Sequence, residues 1–205
     1  RYDPRTATLI QATAPLRITE PVFHPDVDRW FQLIDHSGKL QDWVACVTLL
    51  DKQCAALFIH GMPGYGKTLL ASGLSRLWGT QGAFDMEMML AEDFNGGVLQ
   101  MPLIFADEKL PETANVGAKL RRLIGSNKVE VNEKYIKNAS VSGSPRYLIA
   151  ANNTNIFRTE EELAGQDLDA IAERIIFHSP PDRGRAAKEY IESLPHGQRQ
   201  AFYAD

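Results

Sequence analysis

Residues 55–70 read Ala55-Ala56-Leu57-Phe58-Ile59-His60-Gly61-Met62-Pro63-Gly64-Tyr65-Gly66-Lys67-Thr68-Leu69-Leu70. The unbroken apolar run from Ala55 to Ile59 marks a short strand buried on both faces. Leu69, Leu70, Gly73, Leu74 and Leu77 then recur at helical spacing. Between strand and helix, Gly61-x4-Gly66-Lys67-Thr68 is the phosphate-loop pattern. Its glycines let successive backbone N–H groups turn inward as a nest for phosphate oxygens, and the helix that follows adds its positive end. Lys67 is expected to reach the β- and γ-phosphates, and the Thr68 hydroxyl to bind Mg²⁺. Average composition produces such a match in about one chain in a hundred of this length. Here the strand and the helix also stand on the required sides. Gly61, Gly64, Gly66, Lys67, Thr68 and Leu69 are the expected nucleotide contacts.

Working outward, two more apolar runs end in polar pairs. Pro102-Leu103-Ile104-Phe105-Ala106 runs into Asp107-Glu108, and Tyr147-Leu148-Ile149-Ala150-Ala151 runs into Asn152-Asn153. A shorter run, Ile175-Ile176-Phe177, comes late. Buried strands alternating with helices imply an α/β fold with a parallel sheet and a ligand at the carboxyl ends of its strands. Asp107 there orients the magnesium shell, and Glu108 beside it polarises an attacking water. Two acids at a surface turn are the ordinary alternative. Asn152 is expected to hold that water or sense the γ-phosphate, although Asn is also a common turn residue after a strand.

The rest of the chain sets bounds. Its 205 residues carry 22 Lys plus Arg against 26 Asp plus Glu, a net charge of −4, with 44% apolar and 23% charged residues. That is ordinary globular usage, which disfavours disorder and non-specific coating of nucleic acid. No stretch approaches the roughly 20 apolar residues of a membrane span, so a soluble, cytoplasmic protein without a membrane partner is expected. The chain opens on Arg1 with no charged-then-apolar leader, and it reads as a piece of a longer one. Residues 1–23, with Pro4, Pro15 and Pro21, read as a linker or arm. Residues 24–54 read as a small helical subdomain. Asp26 caps its first helix, Trp30 and Trp43 are core, and Leu40, Val44, Val47 and Leu50 complete a second stripe. Residues 55–180 form the α/β core and 181–205 a helical tail. Cys46 and Cys54 are expected to be buried reduced thiols, and the five histidines show no metal-ligand spacing.

The order of phosphate loop, Asp-Glu, basic segment and strand-terminal Asn resembles the superfamily 3 helicases of viruses, phages and plasmids. Within them it resembles the helicase parts of phage and plasmid primase-helicases. The likeness runs through His60–Thr68, Leu103–Glu108, Gly125–Lys137, Tyr147–Asn153 and Ala172–Ile175. The resemblance implies a P-loop NTPase of AAA+-like type, with a parallel five-stranded sheet flanked by helices. It also implies ATP and Mg²⁺ as cofactors and self-association into a ring, a hexamer in this family. A phage or mobile-element origin follows, with the bacterial host cytoplasm as location and a covalently linked primase or polymerase domain before Arg1.

Two basic features gain meaning from that likeness. Residues 119–137 hold six Lys plus Arg against two Glu, a local net of +4. Val129 and Val131 alternate with polar residues, and a return strand near Ala139–Val141 makes a hairpin with Lys134 and Tyr135 near its tip. In the family the matching hairpin grips nucleic acid through a Lys beside a His. Here Tyr135 replaces that His, and Lys134, Tyr135 and Lys137 are the expected contacts to single-stranded DNA. The same residues read without the likeness are a solvated basic face. Arg174, before Ile175-Ile176-Phe177, takes the family's arginine-finger position, with Arg158 as runner-up. The catalytic set is then Glu108, Lys67, Asn152 and Arg174. An ATP-dependent replicative DNA helicase is the expected function. A protein-remodelling or DNA-packaging ATPase and a nucleotide-gated adaptor without motor activity are the rivals.

Overall fold

The computed structural model describes residues 2–3, 8–9, 16, 20, 22–80, 82–91, 95–108, 116–133, 136–152 and 172–204. A short antiparallel pair, β1 (Tyr2–Asp3) and β2 (Thr8–Leu9), precedes two helices, α1 (Pro25–Ile34) and α2 (Lys39–Ala45). The central sheet uses β3 (Ala56–His60), β4 (Phe84–Asp85), β5 (Leu103–Asp107), β8 (Arg146–Ala151) and β9 (Ile175–His178). Its order is β4-β5-β8-β3-β9 and every pairing is parallel. Helices α3 (Lys67–Ser75), α4 (Met86–Ala91) and α5 (Val116–Ile124) lie between the strands in sequence. An antiparallel hairpin, β6 (Lys128–Glu133) with β7 (Ile136–Ser142), comes before β8. Helices α6 (Arg185–Ser193) and α7 (His196–Ala204) close the described chain.

Continuous apolar strands serve both faces because side chains alternate along a strand. Ala56 and Phe58 of β3, Ile104 and Ala106 of β5, and Tyr147, Ile149 and Ala151 of β8 join one core with Leu90, Leu120 and Ile124. Leu57 and Ile59, Leu103, and Leu148 join the other with Leu74, Trp78, Ile191 and Phe202. Trp30, Ile34, Leu40, Trp43 and Val47 belong to that second core, so α1 and α2 pack directly onto the sheet layer that holds α3. The parallel five-stranded sheet matches the expectation. Its fifth strand, β4, has only two residues at an edge and carries no readable period.

Three local expectations are corrected. The cap of α1 is His24, whose Nδ1 accepts from Val27 N at 3.4 Å, while Asp26 sits in the first turn and accepts from the Tyr190 hydroxyl at 2.6 Å. Pro25 takes the first helical position, where a missing N–H costs nothing. Val47 and Leu50 fall beyond α2, which ends at Ala45. Cys46 is exposed and Cys54 half-buried, because the apolar run around them is a helix end and a turn rather than a core segment. Among the described residues no helix is long and apolar enough to cross a membrane.

Candidate functional site

The parallel sheet brings three strand ends together. The loop after β3 carries the phosphate motif, β5 ends at Asp107 with Glu108 next, and β8 ends beside Asn152. Because β8 lies between β3 and β5, Asn152 stands between the loop and the two acids. Pro63, Gly64, Gly66, Lys67, Thr68, Leu69, Asp107, Glu108 and Asn152 all line one cleft.

Within it the side chains are already connected. Thr68 Oγ1 donates to Asp107 Oδ2 at 3.1 Å. Lys67 Nζ donates to Asn152 Oδ1 at 2.7 Å and to the carbonyls of Gly61 and Met62 at 3.1 and 3.0 Å. Asn152 Nδ2 in turn donates to Glu108 Oε1. One carboxamide therefore bridges the ammonium group and the acid. Lys67 is only 7% exposed. Burial pulls its pKa below the ordinary lysine value, and Glu108 and Asp107 oppose that shift. Glu108 has φ 64, in the left-handed region, while its N–H donates to Ala150 O at 2.7 Å. A non-glycine residue held there is strained, and such strain gathers at functional sites.

The loop is buttressed by residues whose part the sequence did not disclose. Trp30 Nε1 donates to Tyr65 O at 2.7 Å, and its indole lies against Gly66. With φ 109, Gly66 has a backbone shape that side chains rarely adopt, and a Cβ there would meet Trp30 at 3.0 Å. Tyr65, 1% exposed, tucks its ring between Gly61 and Gly184. A Cβ on Gly61 would approach that ring to 2.4 Å and the Arg183 carbonyl to 2.8 Å. Arg183, with φ 54, accepts at its carbonyl from Met62 N (2.8 Å), while its Nη2 donates to Asn152 O (2.8 Å). One arginine thus ties the turn after β9 to both the phosphate loop and the end of β8. Trp30 reads in sequence as core alone, and Arg183 has no local signal beyond the turn-rich Pro180–Gly184.

Arg174 lies elsewhere. It precedes β9, and its carbonyl accepts from Ala56 N at 2.9 Å, at the amino end of β3. Four residues of strand, about 13 Å at 3.3 Å each, separate that end from the phosphate loop. The hairpin is present, with Val131 opposite Ala139 and Glu133 opposite Ile136. Its connecting residues, Lys134 and Tyr135, lie outside the described residues, as do Asn153 and Arg158. Lys137 belongs to β7 by its backbone.

The donor set suits a hard divalent cation. Mg²⁺ keeps most of its water and takes one or two protein oxygens plus phosphate oxygens, and Thr68 and Asp107 supply such oxygens side by side. No group of three or more His, Cys, Asp or Glu able to hold a metal exists among the described residues.

A parallel sheet with a glycine loop and Lys-Thr at the start of α3 defines a P-loop NTPase fold. The chain belongs to a family of unknown function, DUF5906, whose model matches residues 59–166. No curated protein matches it by sequence. Among solved structures it is similar to the C-terminal region of NrS-1 in its apo form. Identity there is 16% and the TM-score 0.54, over 94% of this chain and 54% of that one. It is also similar to JCV helicase, with 17% identity and a TM-score of 0.52 over 85% and 48%. These likenesses concern the fold alone, and the chain spans about half the length of the solved chains it matches.

Proposed function

We propose that this chain is the ATPase motor of a replicative DNA helicase from a phage or mobile element. ATP and Mg²⁺ are its cofactors, and its catalytic sites are completed between subunits of a ring. The observation that carries the reading is the single cleft in which Lys67, Thr68, Asp107, Glu108 and Asn152 converge. A magnesium ion, when bound, supplies charge neutralisation at the phosphate oxygens, and Thr68 and Asp107 are the residues that would hold it.

The residues then divide the work. Backbone N–H groups of Gly64 to Thr68 cradle the phosphates. Lys67 gives up its bonds to the Gly61 and Met62 carbonyls for phosphate oxygens, which compensate a buried ammonium group far better. Asn152 turns from Lys67 toward the terminal phosphate, which frees Glu108 to accept a proton from the attacking water. Arg174 serves a neighbouring subunit's nucleotide, since its own lies at the other end of the sheet. Lys134 and Tyr135, between the two hairpin strands in sequence, and Lys137 contact single-stranded DNA. A primase or polymerase domain is the fitting companion in a longer chain, and the host cytoplasm the fitting location.

The test is ATP hydrolysis measured over a range of protein concentrations, with and without single-stranded DNA. Specific activity is expected to climb with concentration and with DNA. Glu108→Gln should still bind ATP yet turn over at least about 100-fold more slowly. Hydrolysis indifferent to DNA would instead favour a protein-remodelling or packaging ATPase. Absence of hydrolysis in the wild type would favour the adaptor.

A further inference from the structure

Helix α6 lies directly against the phosphate loop. It follows Arg183 and Gly184, and the Arg183 carbonyl holds Met62 N, so the helix is anchored to the loop at its start. Within it, Lys188 and Ile191 share a face at i, i+3 spacing. Ile191 lines the phosphate cleft together with Gly64. Lys188 crosses the loop at Gly64 itself. A Cβ built on that glycine would stand 3.3 Å from Lys188 Cε, 3.4 Å from Cδ and 3.7 Å from Cγ. With φ 90 the position already favours glycine, and its bare backbone lets the lysine stem lie along the loop. One C–N bond, about 1.5 Å, carries the ammonium group beyond Cε, so it stands within about 5 Å of the point a Gly64 Cβ would occupy.

That ammonium group is loosely held. Glu192 Oε1, one helical turn on, stands 3.8 Å away, and both side chains are part exposed. The separation is well beyond the roughly 2.7–2.9 Å of a charge-assisted hydrogen bond, and exposed pairs of this kind contribute little. The cleft, meanwhile, is short of positive charge. Among the described residues that line it, Asp107 and Glu108 face a single ammonium group, that of Lys67. A triphosphate tail adds more negative charge to that set than one magnesium ion neutralises.

We infer that Lys188 is a second cation of the phosphate site, and that its ammonium group leaves Glu192 for a phosphate oxygen when a nucleoside triphosphate binds. The inference rests on the phosphate-site reading above and adds to it a residue from outside the loop motif. The exchange trades a long, water-exposed pair for a closer one with a group of higher charge. The stem already lies along the loop, so only the end of the side chain has to turn.

Calorimetric affinities for magnesium ATP and for magnesium tripolyphosphate, which carries the phosphates without a nucleoside, test this. The chains compared are wild type, Lys188→Met, Lys188→Arg and Glu192→Gln. Methionine keeps a stem to pack on Gly64 and deletes the charge. Lys188→Met should weaken both ligands by about ten-fold or more, as the loss of a hydrogen bond between charged groups does. Lys188→Arg restores a cation and should recover most of that loss. Glu192→Gln removes the competing acid and should tighten both ligands by about two-fold. Wild-type affinity in Lys188→Met overturns the inference, because only the stem would then matter. Weaker binding in Glu192→Gln overturns it too, because the pair would then act by holding α6 in place. A wild type that binds neither ligand removes the phosphate-site reading itself, whereas normal wild-type binding with an indifferent Lys188 removes this residue alone. Thermal midpoints of all three variants should stay near wild type, which separates a lost phosphate contact from a loosened fold.

Discussion

At the scale of single residues, the cleft depends on side chains that do not line it. Trp30 reaches from α1 to hold the Tyr65 carbonyl. In Trp30→Phe the ring persists but that buried carbonyl loses its donor, a change that costs about 1–3 kcal/mol. A lower urea midpoint is expected, together with weaker binding of tripolyphosphate as the loop loosens. Arg183 can be judged by a similar contrast. Arg183→Ala releases Asn152 from the turn after β9, and it should lower turnover more than nucleotide affinity. Arg183→Lys should recover little, since one ammonium on a flexible stem does not reproduce a planar guanidinium. Equal affinity and equal turnover in Arg183→Ala would remove its positioning role. Arg146 provides the control at the opposite end of the sheet. It is 1% exposed, and its guanidinium donates to the carbonyls of Cys46, Leu49, Lys52 and Ser144. Arg146→Met keeps the stem and removes every donor, leaving those carbonyls poorly satisfied. A stability loss of at least about 3 kcal/mol is expected, measured by chemical denaturation, with nucleotide affinity per folded molecule unchanged.

At the scale of elements, legibility followed the range of the interaction. β3, β5 and β8 stood out because strands buried on both faces must be apolar throughout, and the phosphate loop because its chemistry is local in sequence. The hairpin showed itself through the alternation at Val129 and Val131. β4 did not, because two residues carry no period. Nor did the convergence of Trp30, Tyr65 and Arg183, because the contact between Trp30 and Tyr65 spans 35 positions and no spacing rule encodes it. The exposed Cys46 shows the converse, an apolar neighbourhood in sequence that the end of α2 turns outward. His178, closing β9, is another residue whose setting only the packing discloses. It is 4% exposed, and its Nε2 has no hydrogen-bond partner among the described residues. Burial lowers its pKa below the ordinary 6.5, with Asp35 and the Ile34 backbone opposing and Lys39 assisting. The folded chain therefore resists a proton that the unfolded chain accepts. Stability should be unaffected by this group above about pH 6.5 and should fall as pH drops from there toward the lowered folded value. His60 shifts in the same direction through burial, then Arg183 and Lys67, so total acid sensitivity is no test of one ring. His178→Gln should flatten part of the slope of unfolding free energy between pH 7 and 5. An unchanged slope would reject a neutral buried imidazole at β9.

At the scale of the whole molecule, a parallel sheet has two ends, and this chain puts different chemistry at each. The phosphate loop, Asp107, Glu108 and Asn152 occupy the carboxyl ends, whereas Arg174 stands at the amino end, bonded through its carbonyl to Ala56. A rigid strand cannot fold back on itself, so Arg174 and Lys67 of one chain do not meet at one nucleotide. If Arg174 acts in hydrolysis, it acts on another copy. That geometry makes a subunit-mixing experiment decisive. Lys67→Ala removes the cradle's cation but leaves Arg174 intact, and Arg174→Ala does the reverse. Each variant alone should be nearly inactive, since an arginine supplied in trans is worth roughly 10³–10⁵ in rate. Mixed in equal amounts, an Arg174→Ala subunit followed by a Lys67→Ala subunit forms one complete site. With random assembly into a closed ring, about a quarter of the interfaces have that arrangement. Activity should therefore rise from almost nothing to about a quarter of wild type, and should appear only after the two are allowed to exchange subunits. A mixture no more active than its components, or an Arg174→Ala chain with full activity by itself, would show that each site is complete within one chain.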